Sequence, residues 1–133
     1  MTATKIKILL IDDDDTVRSI LTSFAHKYFA ERHLQDDVTS MSDPVQGLFE
    51  LTTAGQQYSL VLLDVRMPRL TGDEIYHSLM HVRPELVGRM VFVTGYAEDI
   101  RQRFAAQTPA ILLKPFRYED FTDTVNKILS QEP

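Results

Sequence analysis

Short apolar runs alternate along the chain with stretches whose apolar residues return every three or four positions. Ile6 to Ile11 is, apart from Lys7, a compact run of leucine and β-branched residues, the pattern of a strand buried on both faces. Val17, Ile20, Leu21, Phe24 and Tyr28 then recur at helical spacing, which predicts an amphipathic helix over roughly 15–30. Val38 to Met41 predicts a weaker second strand. Asp43-Pro44 has the form of an N-cap followed by proline at the first helical position. Val45, Leu48, Phe49 and Leu51 carry that helix to about Gly55.

The alternation continues. Leu60 to Leu63 is a second strong apolar run and ends at Asp64; a loop with Pro68 and Gly72 follows. Ile75, Leu79 and Val82 predict a third helix, stopped before Pro84 because the residue preceding proline disfavours helical backbone. Met90 to Val93 predicts a strand ending at Thr94-Gly95, and a short helix is expected near 97–106. Ile111 to Leu113 predicts the fifth strand, ending at Lys114-Pro115. Phe121, Val125, Ile128 and Leu129 mark the apolar side of a last helix, and Ser130 to Pro133 reads as a frayed tail.

Five strands alternating with five helices predict an α/β fold, a doubly wound five-stranded parallel sheet with helices on both faces. Connections should be right-handed. The chain reads as a single domain over 1–133, with its core over about 5–130.

Composition narrows the function classes. The chain is 44% hydrophobic and 25% charged, enough for one apolar core. It contains no cysteine, which removes disulfides, thiolate metal sites and cysteine nucleophiles. No apolar run has the length of a membrane span, and no signal peptide is evident. A cytoplasmic location and no membrane insertion are therefore expected. The net charge of -5, without a basic stripe, argues against direct nucleic-acid binding.

Candidate chemistry collects at strand ends. In an open α/β sheet, ligands bind outside the carboxyl ends of the strands. The first strand ends in Asp12-Asp13, the third in Asp64, the fourth in Thr94 and the fifth in Lys114. Each has an ordinary explanation alone. Helix capping, for example, accounts for Asp14 or Asp15. It does not require four consecutive aspartates, because clustered carboxylates repel unless a cation compensates. Mg²⁺ prefers oxygen ligands and takes one or two carboxylates together with phosphate oxygens and water. Asp12 and Asp13 are thus the candidate metal ligands. Beside a metal, the Asp64 carboxylate can attack phosphorus and form an acyl phosphate. Thr94 can donate to a phosphoryl oxygen, and Lys114 can pair with phosphate as a point charge.

These segments resemble the receiver domains of two-component response regulators. The resemblance rests on Ile8 to Asp13, Leu62 to Gly72, Val93-Thr94-Gly95 and Leu113 to Phe116, in that order along nearly the whole chain. It implies a flavodoxin-like sheet of order 2-1-3-4-5. It also implies Asp64 as phosphoacceptor, and Mg²⁺ held by Asp13, Asp12, Asp64 and the backbone carbonyl of Arg66. Thr94 and Lys114 would contact the phosphoryl group. The implied partners are a histidine kinase or phosphotransfer protein and an output of unknown kind, and a homodimer is compatible. Such a domain is not an enzyme acting on an external substrate; it catalyses only its own phosphotransfer and slow dephosphorylation. It occurs alone or within a longer regulator or hybrid kinase.

One position departs from the family pattern. An aromatic residue usually lies three positions before the lysine and reorients on phosphorylation; here it is Ile111. Tyr96, two residues after Thr94, is the alternative sensor, and Arg66 and Tyr96 flank the expected water entrance. His26, His33, His77 and His81 fall in or near helices and read as surface or partly buried residues rather than ligands.

Two rival readings remain. Asp12 to Val17 also fits the opening motif of haloacid-dehalogenase-like phosphatases, with Asp12 as nucleophile and Asp14 as acid/base. That reading lacks a later strand ending in an acidic pair and leaves Asp64 to Gly72 unexplained. The other rival is a receiver-fold binding module that signals without phosphate.

Overall fold

A computed structural model describes residues 5–130, so the expected tail beyond Ser130 lies outside the described residues. Strand β1 spans Ile6–Ile11 and helix α1 Asp15–Glu31. They are followed by β2 (Asp36–Met41), α2 (Pro44–Ala54), β3 (Leu60–Asp64) and α3 (Gly72–Val82). The remainder is β4 (Met90–Thr94), α4 (Ala97–Arg103), β5 (Ala110–Leu113) and α5 (Tyr118–Leu129). Short 3₁₀ turns at Gly55–Gln57 and Pro84–Arg89 were not expected. All neighbouring strands pair in parallel, in the order β2-β1-β3-β4-β5.

The two-residue period of the strands sorts their side chains onto two faces. Ile8 and Leu10 join Leu60, Leu62, Val91, Val93 and Leu112 under α1 and α5. Leu9 and Ile11 join Val61, Leu63 and Phe92 under α2, α3 and α4. Because both faces are covered, β1 from Ile8 onward, β3 up to Leu63 and β4 up to Val93 read as continuous apolar runs rather than alternating ones.

Local chemistry sets the helix starts. Asp14 caps α1 by accepting the Thr16 and Val17 amides at 2.9 and 3.2 Å. Asp43 caps α2, with Pro44 at its first position. Thr71 and Glu74 form a reciprocal capping box at α3, which satisfies two otherwise orphaned donors.

Two elements differ from expectation. Strand β2 begins at Asp36 rather than Val38, because Asp36 and Asp37 pair with Ile6 and Lys7 at the sheet edge. Backbone ladder bonds do not require apolar side chains there. Helix α4 ends at Arg103 rather than near 106. Phe104 turns inward to pack on Tyr76 and Phe92. The amides of Gln107 and Thr108 then both donate to the Phe104 carbonyl, at 3.0 and 3.1 Å. Among the described residues, no helix is long and apolar enough to cross a membrane.

Candidate functional site

Parallel strands in this order bring their carboxyl ends to one edge. Asp12, Asp64 and Thr94 are the only polar or charged residues buried among the described residues, and all three lie at that edge. Buried polar groups are costly without a purpose or a partner, so this coincidence marks the site.

Asp12 leaves β1, and Asp13 is exposed beside it. One carboxylate oxygen from each of Asp12, Asp13 and Asp64 lies within 4.8 Å of the other two. Asp12 Oδ1 accepts the Asp14 amide at 2.9 Å. Asp12 Oδ2 is buried and has no hydrogen-bond partner. Arg18, one turn into α1, donates to the Asp12 carbonyl at 2.6 Å, which ties the helix to the strand end.

Lys114 follows β5 and crosses to the cluster. Its Nζ donates to Asp64 Oδ1 at 3.3 Å and lies 3.7 Å from Asp12 Oδ2. The Lys114–Pro115 peptide is cis. One ammonium thus faces two buried carboxylates with Asp13 close by. Burial pushes the Asp12 carboxyl up to about 6, aided by the negative charges of Asp64 and Asp13. The Asp14 amide and Lys114 oppose that shift. Burial also raises Asp64, while Lys114 holds it down by charge and hydrogen bond.

The excess of negative charge and the orphaned Asp12 oxygen fit an oxygen-preferring divalent cation such as Mg²⁺. Asp12, Asp13 and Asp64 are the side chains able to hold it.

Thr94 ends β4, and its Oγ accepts the Tyr96 amide at 2.9 Å. A hydroxyl that accepts there still has its own proton to donate. Arg66 lies two residues beyond Asp64, and its guanidinium sits over the Tyr96 ring. The loop leading from Arg66 to α3 carries Met67, which is buried in the core cluster on the α2–α4 side of the sheet. Gly72 closes that loop: its amide donates to the Val65 carbonyl at 2.8 Å.

The predicted side chains therefore lie at one edge, with Asp12, Asp13 and Asp64 in mutual reach and Lys114 beside Asp12 and Asp64. Thr94 holds the adjoining loop. Asp14, the acid/base of the phosphatase reading, is occupied as the α1 cap. Ile111 is partly buried against the α2–α4 side of the core. The role of Arg18 carried no sequence signal beyond helical spacing, whereas Gly72 belongs to the Leu62 to Gly72 segment that carries the resemblance and was placed in the loop after Asp64.

Comparison with known proteins agrees with this geometry. Residues 8–126 match the family described as the response regulator receiver domain. An uncharacterized response regulatory protein of Vibrio cholerae is 31% identical over 123 residues, covering 92% of this chain and 48% of that protein. The sensor kinase CckA of Brucella abortus is 29% identical over 133 residues, covering 94% of this chain and 13% of that protein. The chain thus spans about half or less of these two relatives. The receiver protein CpdR of Brucella abortus is 28% identical, covering 92% of this chain and 96% of CpdR. A receiver domain structure from Clostridium thermocellum superposes with a TM-score of 0.76 at 23% identity, covering 95% of each chain. The receiver domain of the Pseudomonas aeruginosa sensor histidine kinase PA1611, described with magnesium in its active-site cleft, gives 0.76 at 18% identity. It covers 96% of this chain and 100% of that one. With its sheet order, buried acidic edge and matched span in agreement, the chain belongs to the response regulator receiver domain family.

Proposed function

We propose that this receiver accepts a phosphoryl group on Asp64 from a histidine kinase or phosphotransfer protein, and that the modification switches partner binding. The observation that carries this reading is the buried, unpartnered Asp12 oxygen beside Asp64, with Lys114 facing both. A buried acidic pair held by one ammonium is poorly compensated by itself and suited to an incoming cation and anion together.

An ionised Asp64 oxygen attacks phosphorus in line with the leaving group. The phosphorus–nitrogen bond of a phosphohistidine breaks, its electron pair stays on the imidazole, and an acyl phosphate forms on Asp64. Asp12, Asp13, Asp64 and the Arg66 carbonyl are the groups that would hold Mg²⁺. When bound, that ion supplies positive charge against the phosphoryl oxygens. Lys114 keeps Asp64 ionised before transfer and pairs with a phosphoryl oxygen afterwards. Thr94 donates its hydroxyl proton to another such oxygen while still holding the Tyr96 amide, so the loop after β4 senses the new charge. This route does not need an aromatic at Ile111.

The test is incubation with acetyl phosphate and Mg²⁺, followed by intact mass measurement of the wild type and Asp64→Asn. The wild type should gain one phosphoryl group and the variant none. An unmodified wild type, or a variant that is modified equally, would refute the proposal. The binding-module rival predicts the first of those results.

A further inference from the structure

Helix α3 buries Ile75, Tyr76 and Leu79 and turns His77 and His81 to solvent. The two histidines are four residues apart, so their rings stack one turn above the other on one face. Their ring centroids are 4.9 Å apart, with planes inclined at 76°. Among the described residues, neither imidazole takes part in a hydrogen bond or ion pair. His26, by contrast, is paired with Asp36.

Two free imidazoles at this spacing form a helical chelate for a transition metal. Zinc–imidazole bonds are about 2.0–2.1 Å long, so one ion between two rings at this separation can be reached by rotation of exposed side chains alone. The same histidine spacing holds zinc in metalloproteases. Here Ser78, Leu79 and Met80 lie between the two histidines, so no glutamate stands between them as a general base. The chemistry is therefore binding, not hydrolysis.

We propose that His77 and His81 form a second metal site, selective for late first-row ions such as Ni²⁺, Cu²⁺ or Zn²⁺, with water filling the remaining positions. It is separate from the acidic edge. Nitrogen donors favour these ions over Mg²⁺, whereas the Asp12, Asp13 and Asp64 oxygens favour Mg²⁺. Two ligands held on one rigid helix bind more tightly than either alone, because the second bond forms at high effective concentration.

Titration calorimetry with Ni²⁺, run in excess Mg²⁺ to keep the acidic edge filled, tests this. The wild type should bind one Ni²⁺, and His77→Gln or His81→Gln should each weaken that site about tenfold or more. The informative variant is His81→Gln combined with Val82→His. It keeps the histidine count but moves the second ring off the shared face, and it should bind as weakly as the single variants. Val82 is exposed, so the fold should tolerate the change; circular dichroism checks this. Independently of any variant, Cu²⁺ bound to the wild type should show two equatorial nitrogens by electron paramagnetic resonance. Equal Ni²⁺ affinity in the wild type and the register-shifted protein, or a single-nitrogen Cu²⁺ signal, would overturn the proposal.

Discussion

The guanidinium carbon of Arg66 lies 3.5 Å from the centroid of the Tyr96 ring. Arg66 follows β3 and Tyr96 follows β4, so the contact bridges the two loops that border Asp64 and Thr94. A cation–π contact at an exposed site contributes about 0.5–1 kcal/mol. If that bridge covers the acyl phosphate, breaking it exposes phosphorus to water. Arg66→Ala and Tyr96→Ala should each speed loss of the phosphoryl group about two- to fivefold. The double variant should match the single ones, since one contact is lost in every case. Decay of the phosphorylated mass after removal of acetyl phosphate gives the three rates. Additive effects would show that the two side chains act separately.

The buried carboxylates make a prediction about stability without metal. The folded Asp12 carboxyl titrates near 6 against 3.8 ordinarily, chiefly because of burial. A carboxyl raised in the folded state binds its proton more tightly there than in the unfolded chain. Stability is therefore unaffected by this group below about pH 4 and falls as pH rises towards about 6, by at most about 3 kcal/mol. Asp12→Asn keeps an oxygen for the Asp14 amide and removes the charge. In chelator at neutral pH it should be more stable than the wild type by about 1–3 kcal/mol, with the gain vanishing near pH 4. Urea unfolding across that range measures the difference. A variant less stable than the wild type at neutral pH would mean that the ionised Asp12 carboxylate is already compensated by Lys114.

The location of the site is legible in the sequence because each apolar run ends on a group with chemistry. A doubly wound parallel sheet brings all those ends to one edge, so Asp12, Asp64, Thr94 and Lys114 can be grouped before any coordinates. What stays hidden depends on side-chain direction and backbone pairing. Asp36 and Asp37 carry no strand signal because an edge strand is held by ladder hydrogen bonds. The early end of α4 follows from Phe104 finding Tyr76 and Phe92, a contact between distant segments. The orphaned oxygen of Asp12 and the stacking of Arg66 on Tyr96 likewise have no linear pattern.

Lys114 is the only cation whose ion pairs reach both buried carboxylates among the described residues. Replacing it by methionine keeps the stem and removes the charge. The Asp12 carboxyl should then titrate above about 6, and Asp64 should rise as well, since Lys114 lowers both. Carboxyl carbon chemical shifts followed through a pH titration in chelator read both groups. Phosphoryl uptake should slow at least about tenfold, because the nucleophile and the transferred charge lose the same partner. Unchanged carboxyl titrations would show that solvent, not Lys114, compensates the pair.

Gly72 sets the distance between the start of α3 and the end of β3. A Cβ built there would lie 2.0 Å from the Asp64 carbonyl oxygen, 2.9 Å from its carbon and 3.0 Å from the Val65 Cα. All three are backbone atoms, and the Gly72 amide is already bonded to the Val65 carbonyl at 2.8 Å. Gly72 has no positive φ, so the constraint is space rather than dihedral freedom. Gly55 is the natural control: a Cβ there would meet the Leu86 Cδ1 methyl at 2.4 Å, with the next atoms at 3.6 Å. A methyl at the end of a side chain can rotate away, whereas a strand end cannot. Gly72→Ala should therefore cost about 2–4 kcal/mol in urea unfolding, and Gly55→Ala less than about 1 kcal/mol. Because the alanine pushes directly on the Asp64 backbone, Gly72→Ala should also slow phosphoryl uptake under conditions where the variant remains folded, while Gly55→Ala leaves uptake unchanged. Equal stabilities for the two variants would mean that α3 can slide away from β3 at little cost, and that the position of Asp64 is set by its own strand alone.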